Sequence, residues 1–171
     1  MKNERSNLFL VGPMGAGKTS VGRYLARELH KDFYDSDEEI ENKMGASLSW
    51  IFDLEGMAGF RQREARVIDE LSLLKNVVIS TGGGCVETLE VREALSKRGV
   101  VIYMEVSLDT QLHRLKKDKR RPQLQGQNPQ DVLIKLWEER EPIYEGIADF
   151  TVKTDHRSVR DVCTDILNWL K

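Results

Sequence analysis

GPMGAGKT, residues 12–19, matches the pattern G-x-x-x-x-G-K-[ST] in full. It follows Leu8-Phe9-Leu10-Val11, an apolar run of the length of a buried strand, and precedes Ser20 to Leu29, where Val21, Leu25 and Leu29 recur at helical spacing. Strand, glycine-rich turn and helix are the context in which such a turn cradles phosphates. Successive backbone N–H groups point at one anion, and the helix start adds unpaired donors and the positive end of its dipole. Lys18 supplies a point charge for the outer phosphates, and the Thr19 hydroxyl is a hard oxygen ligand for Mg²⁺. Gly15, Ala16, Gly17, Lys18, Thr19 and Ser20 are therefore the expected nucleoside triphosphate contacts.

The 171 residues suit one domain with a three-layer core. A net charge of −2 gives no overall field that would recruit nucleic acid. Cys85 and Cys163 lie far apart and without metal-ligand spacing, which argues against a disulfide framework or a zinc site. Residues 1–7 are polar and no apolar run approaches membrane length, so the expectation is a soluble, cytoplasmic chain with no membrane partner.

Outward from the glycine turn, Asp32-Phe33-Tyr34 reads as a second strand running into Asp35-Ser36-Asp37. Helical patterning with Ile40, Met44, Leu48, Ile51 and Phe52 breaks at Gly45, and Gly56 and Gly59 punctuate the chain before a longer helix with Phe60, Glu64, Val67, Leu71 and Leu74 on one face. Val77-Val78-Ile79 is a third strand ending at Gly82-Gly83-Gly84, and Val100 to Val106 has the unbroken apolar pattern of a strand covered on both faces. Helices are expected at about 88–97, 108–117, 129–145 and 157–170, with a last strand at Phe150-Thr151-Val152. Strands alternating with helices imply right-handed crossovers and a parallel sheet, with ligands beyond the carboxyl ends of the strands. The glycine turn, Asp35 to Asp37 and the triple glycine all follow strands, so they should share one rim.

Phosphoryl transfer needs anchored phosphates, a metal, a positioned acceptor and cations for the equatorial oxygens. A further metal-side carboxylate, four apolar residues then Asp, is missing from both later strands unless Glu105 serves. Asp35 and Asp37 are the nearest alternative. With one residue between them on an extended segment they point the same way: one could steer Mg²⁺ through water, the other could accept a hydrogen bond from a substrate hydroxyl. The same Asp-Ser-Asp also makes a good helix N-cap. The triple glycine lets a small ligand lie against bare backbone, or is a plain turn. Leu133, Trp137, Arg140 and Tyr144 form an i, i+4, i+7, i+11 stripe, which puts the Arg140 guanidinium in line with a core-facing series, for a ligand or an internal carboxylate. Arg61 opens a different helix beside Phe60. Arg121, before Pro122 in a loop of Gln, Gly and Asn, has the setting of a flap cation, whereas Lys116, Lys117 and Lys119 read as solvated surface.

Taken together these residues resemble the shikimate kinases over nearly the whole chain. The family pattern is met by GPMGAGKT, Asp35-x-Asp37, Phe60-Arg61 with Glu64, Gly82-Gly83-Gly84, Arg121-Pro122-x-Leu124, Arg140-x-Pro142-x-Tyr144 and Ala148-Asp149. The resemblance implies a three-layer α/β/α P-loop kinase fold with a five-stranded parallel sheet, as a single domain over residues 1–171. It implies ATP-dependent phosphorylation of the shikimate 3-hydroxyl, with Mg²⁺ as cofactor, shikimate and ATP as partners, and a monomeric chain. Shikimate would be held by Asp37 at its hydroxyls, by Arg61 and Arg140 at its carboxylate, and by Gly82 and Gly83. Residues 36–62 would be a substrate-binding subdomain and 117–127 the ATP lid, with Arg121 on the phosphates, Arg114 stacked on adenine and Arg157 near its edge. Lys18, Asp37 and Arg121 are the expected catalytic residues, and Thr19 and Asp35 the metal-side ones. A gluconate-type or nucleoside-monophosphate kinase shares size and P-loop, but the first does not call for the Arg61–Arg140 pair or the triple glycine. A GTPase needs an Asn-Lys-x-Asp signature that is not found, and a non-catalytic nucleotide binder has no need of Lys18, Thr19, Asp37 and Arg121 together.

Overall fold

The structure, a computed structural model, describes residues 6–116 and 126–171. Five strands form one parallel sheet in the order β2-β3-β1-β4-β5: β1 (Leu8–Val11), β2 (Asp32–Asp35), β3 (Val77–Ser80), β4 (Val100–Glu105) and β5 (Phe150–Lys153). Between and after them lie α1 (Lys18–Leu29), α2 (Ser36–Met44), α3 (Leu48–Ser72), α4 (Leu89–Arg98), α5 (Leu108–Leu115), α6 (Pro129–Ile147) and α7 (Val159–Leu170). A 3-10 turn at Cys85–Glu87 connects the triple glycine to α4.

Strand alternation divides the sheet between two cores. Phe9, Val11, Val77, Ile79, Val101 and Tyr103 face a cluster that takes Ile40 from α2, Ile51 and Phe60 from α3, Leu95 from α4 and Tyr144 from α6. Leu8, Leu10, Val78, Ile102 and Met104 face the other way, against Val21 and Leu25 of α1 and Val162, Cys163 and Ile166 of α7. A strand buried on both sides has no polar face to alternate with, which is why β1 and β4 read as continuous apolar runs. A third, small cluster of Met14, Leu115 and Leu133 packs the glycine turn against α5 and α6.

The register aligns the strand ends. Leu10 pairs with Ser80 and with Ile102, and Ser80 pairs with Asp35, so the segments leaving β1, β2 and β3 emerge side by side. Thr81 extends the β1–β3 pairing one step further, donating both its N–H and its hydroxyl to the Leu10 carbonyl.

Several sequence expectations need correction. Gly59 does not interrupt a helix: α3 runs through it, and the break falls at Gly56 alone, whose φ of 67° and ψ of −173° only glycine adopts readily. Leu74 leaves the helical stripe because α3 ends at Ser72, and its side chain is exposed. Asp37 does not sit on an extended segment. The Asp35 carboxylate accepts from the N–H groups of Asp37 and Glu38, so the helix takes over at once and Asp37 lies in its first turn. Trp137 is exposed although Leu133, Arg140 and Tyr144 on the same stripe are buried.

Gly12 sets the direction of the whole rim. Its φ is +148°, and a Cβ there would stand 2.5 Å from the Met104 carbonyl oxygen of β4. Gly12→Ala is expected to lower the unfolding free energy by about 2–4 kcal/mol in urea denaturation, from backbone strain plus forced separation of β1 and β4. Wild-type stability in that variant would mean that β4 yields without cost.

Candidate active site

The rim holds a cavity of about 630 Å³. Its nucleotide side is the glycine turn. Gly17, with φ 89°, precedes the first residue of α1, and no side chain caps that helix, so the N–H groups of its first turn remain for an anion. Lys18 is buried and donates from Nζ to the carbonyls of Gly12 and Pro13 at 2.7 and 2.9 Å, which folds the ammonium over the turn. Gly15, Gly17, Lys18, Thr19 and Ser20 line the cavity. Ala16 does not, being buried with its N–H on the Pro13 carbonyl. Thr19 Oγ1 donates to Asp35 Oδ2 at 2.8 Å, so one carboxylate both caps α2 and orients the hydroxyl at the head of α1. These are hard oxygen donors of the kind Mg²⁺ takes. Among the described residues no group of three or more His, Cys, Asp or Glu side chains could hold a metal, so a Mg²⁺ at Thr19 and Asp35 would complete its coordination with water and phosphate oxygens. Glu105 ends β4 but is not part of the cavity lining.

The acceptor side is built around the triple glycine, and each glycine has a different neighbour. A Cβ at Gly82 would lie 2.9 Å from Asp37 Oδ1 and 2.8 Å from Glu64 Oε2. One at Gly83 would meet the Gly12 carbonyl and Met14 nitrogen at 3.4 and 3.5 Å. One at Gly84 would lie 2.0 Å from Arg61 Nη2 and 2.7 Å from Arg140 Nη2. The bare strip thus runs from a carboxylate, past the glycine turn, to two guanidiniums that share one point in space. Its backbone is pinned: Gly82 N–H donates to Ser36 Oγ, and the Tyr144 hydroxyl donates to the Gly83 carbonyl.

The two arginines arrive from separate helices, Arg61 just past the Gly56 kink in α3 and Arg140 from the buried stripe of α6. Their charges are balanced locally. Arg61 Nη1 donates to Glu64 Oε1 at 2.7 Å, Arg61 Nη2 to Glu87 Oε2 at 3.3 Å, and Arg140 Nε to Glu87 Oε1 at 3.2 Å. Glu64 is 1% exposed, and burial pushes its carboxyl up to about 7 against the pull of Arg61, with Asp37 adding to the rise. Beside Gly84, the Cys85 thiol is also fully buried and pushed up to about 12.

Arg114 lines the cavity, bridging the glycine turn and the segment that leaves β5 through the carbonyls of Gly15 and Thr154. Arg157 points elsewhere, onto the Lys153 and Asp161 carbonyls and the Asp165 carboxylate. Arg121, and with it residues 117–125 of the expected lid, lies outside the described residues. Sequence reading gave no role to Glu87, took Ser36 only as part of a helix cap, and singled out neither Glu41 nor Ser47–Ser49 within 36–62, although these line the α2–α3 side of the cavity. Glu64 had a signal in its i, i+3 spacing from Arg61; Glu87 had none, because its partners come from distant helices.

A family model described as shikimate kinase matches residues 14–171. Two relatives named shikimate kinase, from Shewanella loihica and Vibrio vulnificus, are 50% and 52% identical over 167 and 168 residues, each alignment covering 98% of both chains. A solved shikimate kinase from Acinetobacter baumannii in complex with shikimate superposes with a TM-score of 0.94 at 46% identity, covering 96% of this chain and 92% of that one.

The buried Glu64 generates a pH dependence of folding. Its carboxyl titrates near 4.5 when unfolded and at about 7 when folded, so in that window the folded chain holds a proton the unfolded chain has released. The stability this confers is complete below pH 4.5 and lost as pH rises through 7. The unfolding free energy of wild type minus that of Glu64→Gln should fall by on the order of 2–3 kcal/mol across the window in urea titrations. A flat difference would rule out the raised carboxyl.

Proposed function

The chain belongs to the shikimate kinase family, and from that premise we propose how its residues move the γ-phosphoryl group of ATP to the 3-hydroxyl of shikimate. It is an ATP-dependent kinase that converts shikimate to shikimate 3-phosphate, within aromatic amino acid biosynthesis. The observation that carries the assignment of roles is the glycine strip, with an acidic post at Gly82, paired guanidiniums at Gly84 and the phosphate turn packed against Gly83.

The N–H groups at the head of α1 receive the phosphates, and Lys18 releases the loop carbonyls to follow the charge outward. Thr19 and Asp35 hold Mg²⁺, which when bound neutralises charge on the phosphate oxygens. Asp37 accepts the hydrogen bond of the 3-hydroxyl and aims its lone pair at phosphorus; a loose transition state asks little base strength of it. Arg61 and Arg140 grip the carboxylate, because two planar forks match its geometry better than point charges do. Gly82 and Gly83 let the ring lie on backbone. Arg114 and Arg157 serve the adenine side, Arg157 after giving up its contacts to Asp161 and Asp165. Residues 36–62 form the substrate-binding subdomain, and 117–127 the lid that brings Arg121 to the transferring group and excludes water. The working unit is a monomer in the cytoplasm.

A coupled ADP-release assay over shikimate, gluconate, nucleoside monophosphates and no acceptor tests the reading. Turnover should require shikimate, and Asp37→Asn should lower kcat by about 10²–10⁴-fold with little change in KM for ATP. Faster turnover of gluconate would overturn the acceptor assignment, and wild-type kcat in Asp37→Asn would transfer the hydroxyl role to Asp35.

A further inference from the structure

The Glu87 carboxylate spans both guanidiniums that the proposed function assigns to the substrate's carboxylate. One oxygen takes Arg140 Nε at 3.2 Å and the other takes Arg61 Nη2 at 3.3 Å. Both contacts are long for charge-assisted hydrogen bonds, whereas the Arg61–Glu64 pair closes to 2.7 Å. The exposures differ in the same sense. The Glu87 side chain keeps 34% of its surface, against 1% for Glu64 and 5% for Arg140. Arg61 therefore has one tight, buried partner and one loose, half-exposed partner, and Arg140 shares the loose one.

We propose that Glu87 is an internal competitor for the carboxylate seat: it holds its own carboxylate between Arg61 and Arg140, and shikimate binds by displacing it. This rests on the two-arginine reading of the acceptor site. The physical need is direct, since two guanidiniums converging on Gly84 repel each other in a poorly solvated corner unless an anion lies between them. A ligand carboxylate is the same chemical group as the Glu87 side chain and satisfies the same donors, so the two exclude each other.

The exchange needs no backbone movement. Glu87 sits in a 3-10 turn fixed by hydrogen bonds from Cys85 N–H to the Gly82 carbonyl, from Glu87 N–H to Gly84 and from Thr88 N–H to Cys85. Arg92 holds the same turn through the Val86 carbonyl at 2.7 Å. Only the Glu87 side chain has to rotate, from the clamp into water, where its exposed edge already lies.

The consequence is selectivity among anions. An acid that also reaches Asp37 through its hydroxyls recovers the cost of displacement, while a small carboxylate with nothing else to hold does not. A seat occupied by Glu87 about nine-tenths of the time weakens the apparent affinity for shikimate about tenfold.

Calorimetric titration without nucleotide tests this on wild type, Glu87→Gln, Glu87→Asp and Arg140→Lys, each first checked for cooperative thermal unfolding. Glu87→Gln should bind shikimate about tenfold more tightly, and Glu87→Asp, too short to span both arginines, should fall between it and wild type. Shikimate with its carboxylate reduced to an alcohol should bind the Gln variant and wild type within twofold of each other. Acetate should begin to compete with shikimate in Glu87→Gln but not in wild type. Weaker or unchanged shikimate binding in Glu87→Gln, or an equal shift for acid and alcohol, would overturn the competitor role. Arg140→Lys separates this from the reading beneath it. Loss of about 30-fold or more in affinity for the acid alone keeps the clamp whatever Glu87 does. Unchanged affinity would bring down clamp and competitor together.

Discussion

At Gly12 the chain leaves β1 and passes so close to β4 that a Cβ would stand 2.5 Å from the Met104 carbonyl oxygen. That crossing lies between the two strands that flank β1 in register, and it turns the following residues over the end of the sheet. The phosphate side of the rim is then placed by short connections from it. Lys18 folds back onto the Gly12 and Pro13 carbonyls, Gly83 packs beside Gly12, and Gln111 of α5 donates to the Met14 carbonyl from behind. A turn with no side chain at its base is rigid because it is surrounded, by sheet on one side and by Met14, Leu115 and Leu133 on the other.

The acceptor side is held by charge where the phosphate side is held by backbone. Within a few ångströms of the glycine strip stand Asp37, Glu64, Glu87, Arg61 and Arg140, and a Cβ at Gly82 or Gly84 would press on the nearest of them. Burying this many ionised groups is unfavourable for each alone and tolerable for the set, because each guanidinium has a carboxylate in reach. Glu64 is 1% exposed, and burial raises its carboxyl to about 7 while it remains bonded to Arg61.

Much of this was legible in the sequence because it follows from local pattern. The strand-glycine turn-helix unit, the five strands and the rim were readable from apolar runs and the glycines that end them, and among the motifs that carried the family resemblance the glycine turn, Asp35–Asp37, Arg61, the triple glycine and Arg140 meet at the rim. What stayed hidden depends on side chains meeting across the fold. Asp35 was read as metal-side group or helix cap, and its two oxygens do different jobs, one on the α2 N–H groups and one on Thr19. The Arg140 stripe was found by periodicity, but periodicity could not tell that Trp137 would face solvent at the edge of α6. Glu87 has no motif, since its meaning comes from α3 and α6 converging on the turn in which it sits.

Cys85 adjoins the glycine strip, yet its thiol is fully buried and pushed up to about 12. At neutral pH such a group stays a thiol, and its side chain has no exposed surface. Cys163 is buried behind α1, with its thiol likewise raised. An inhibitor carrying a thiol-directed electrophile would therefore occupy this cavity without forming a bond, and oxidants that inactivate enzymes through exposed cysteines have little purchase here.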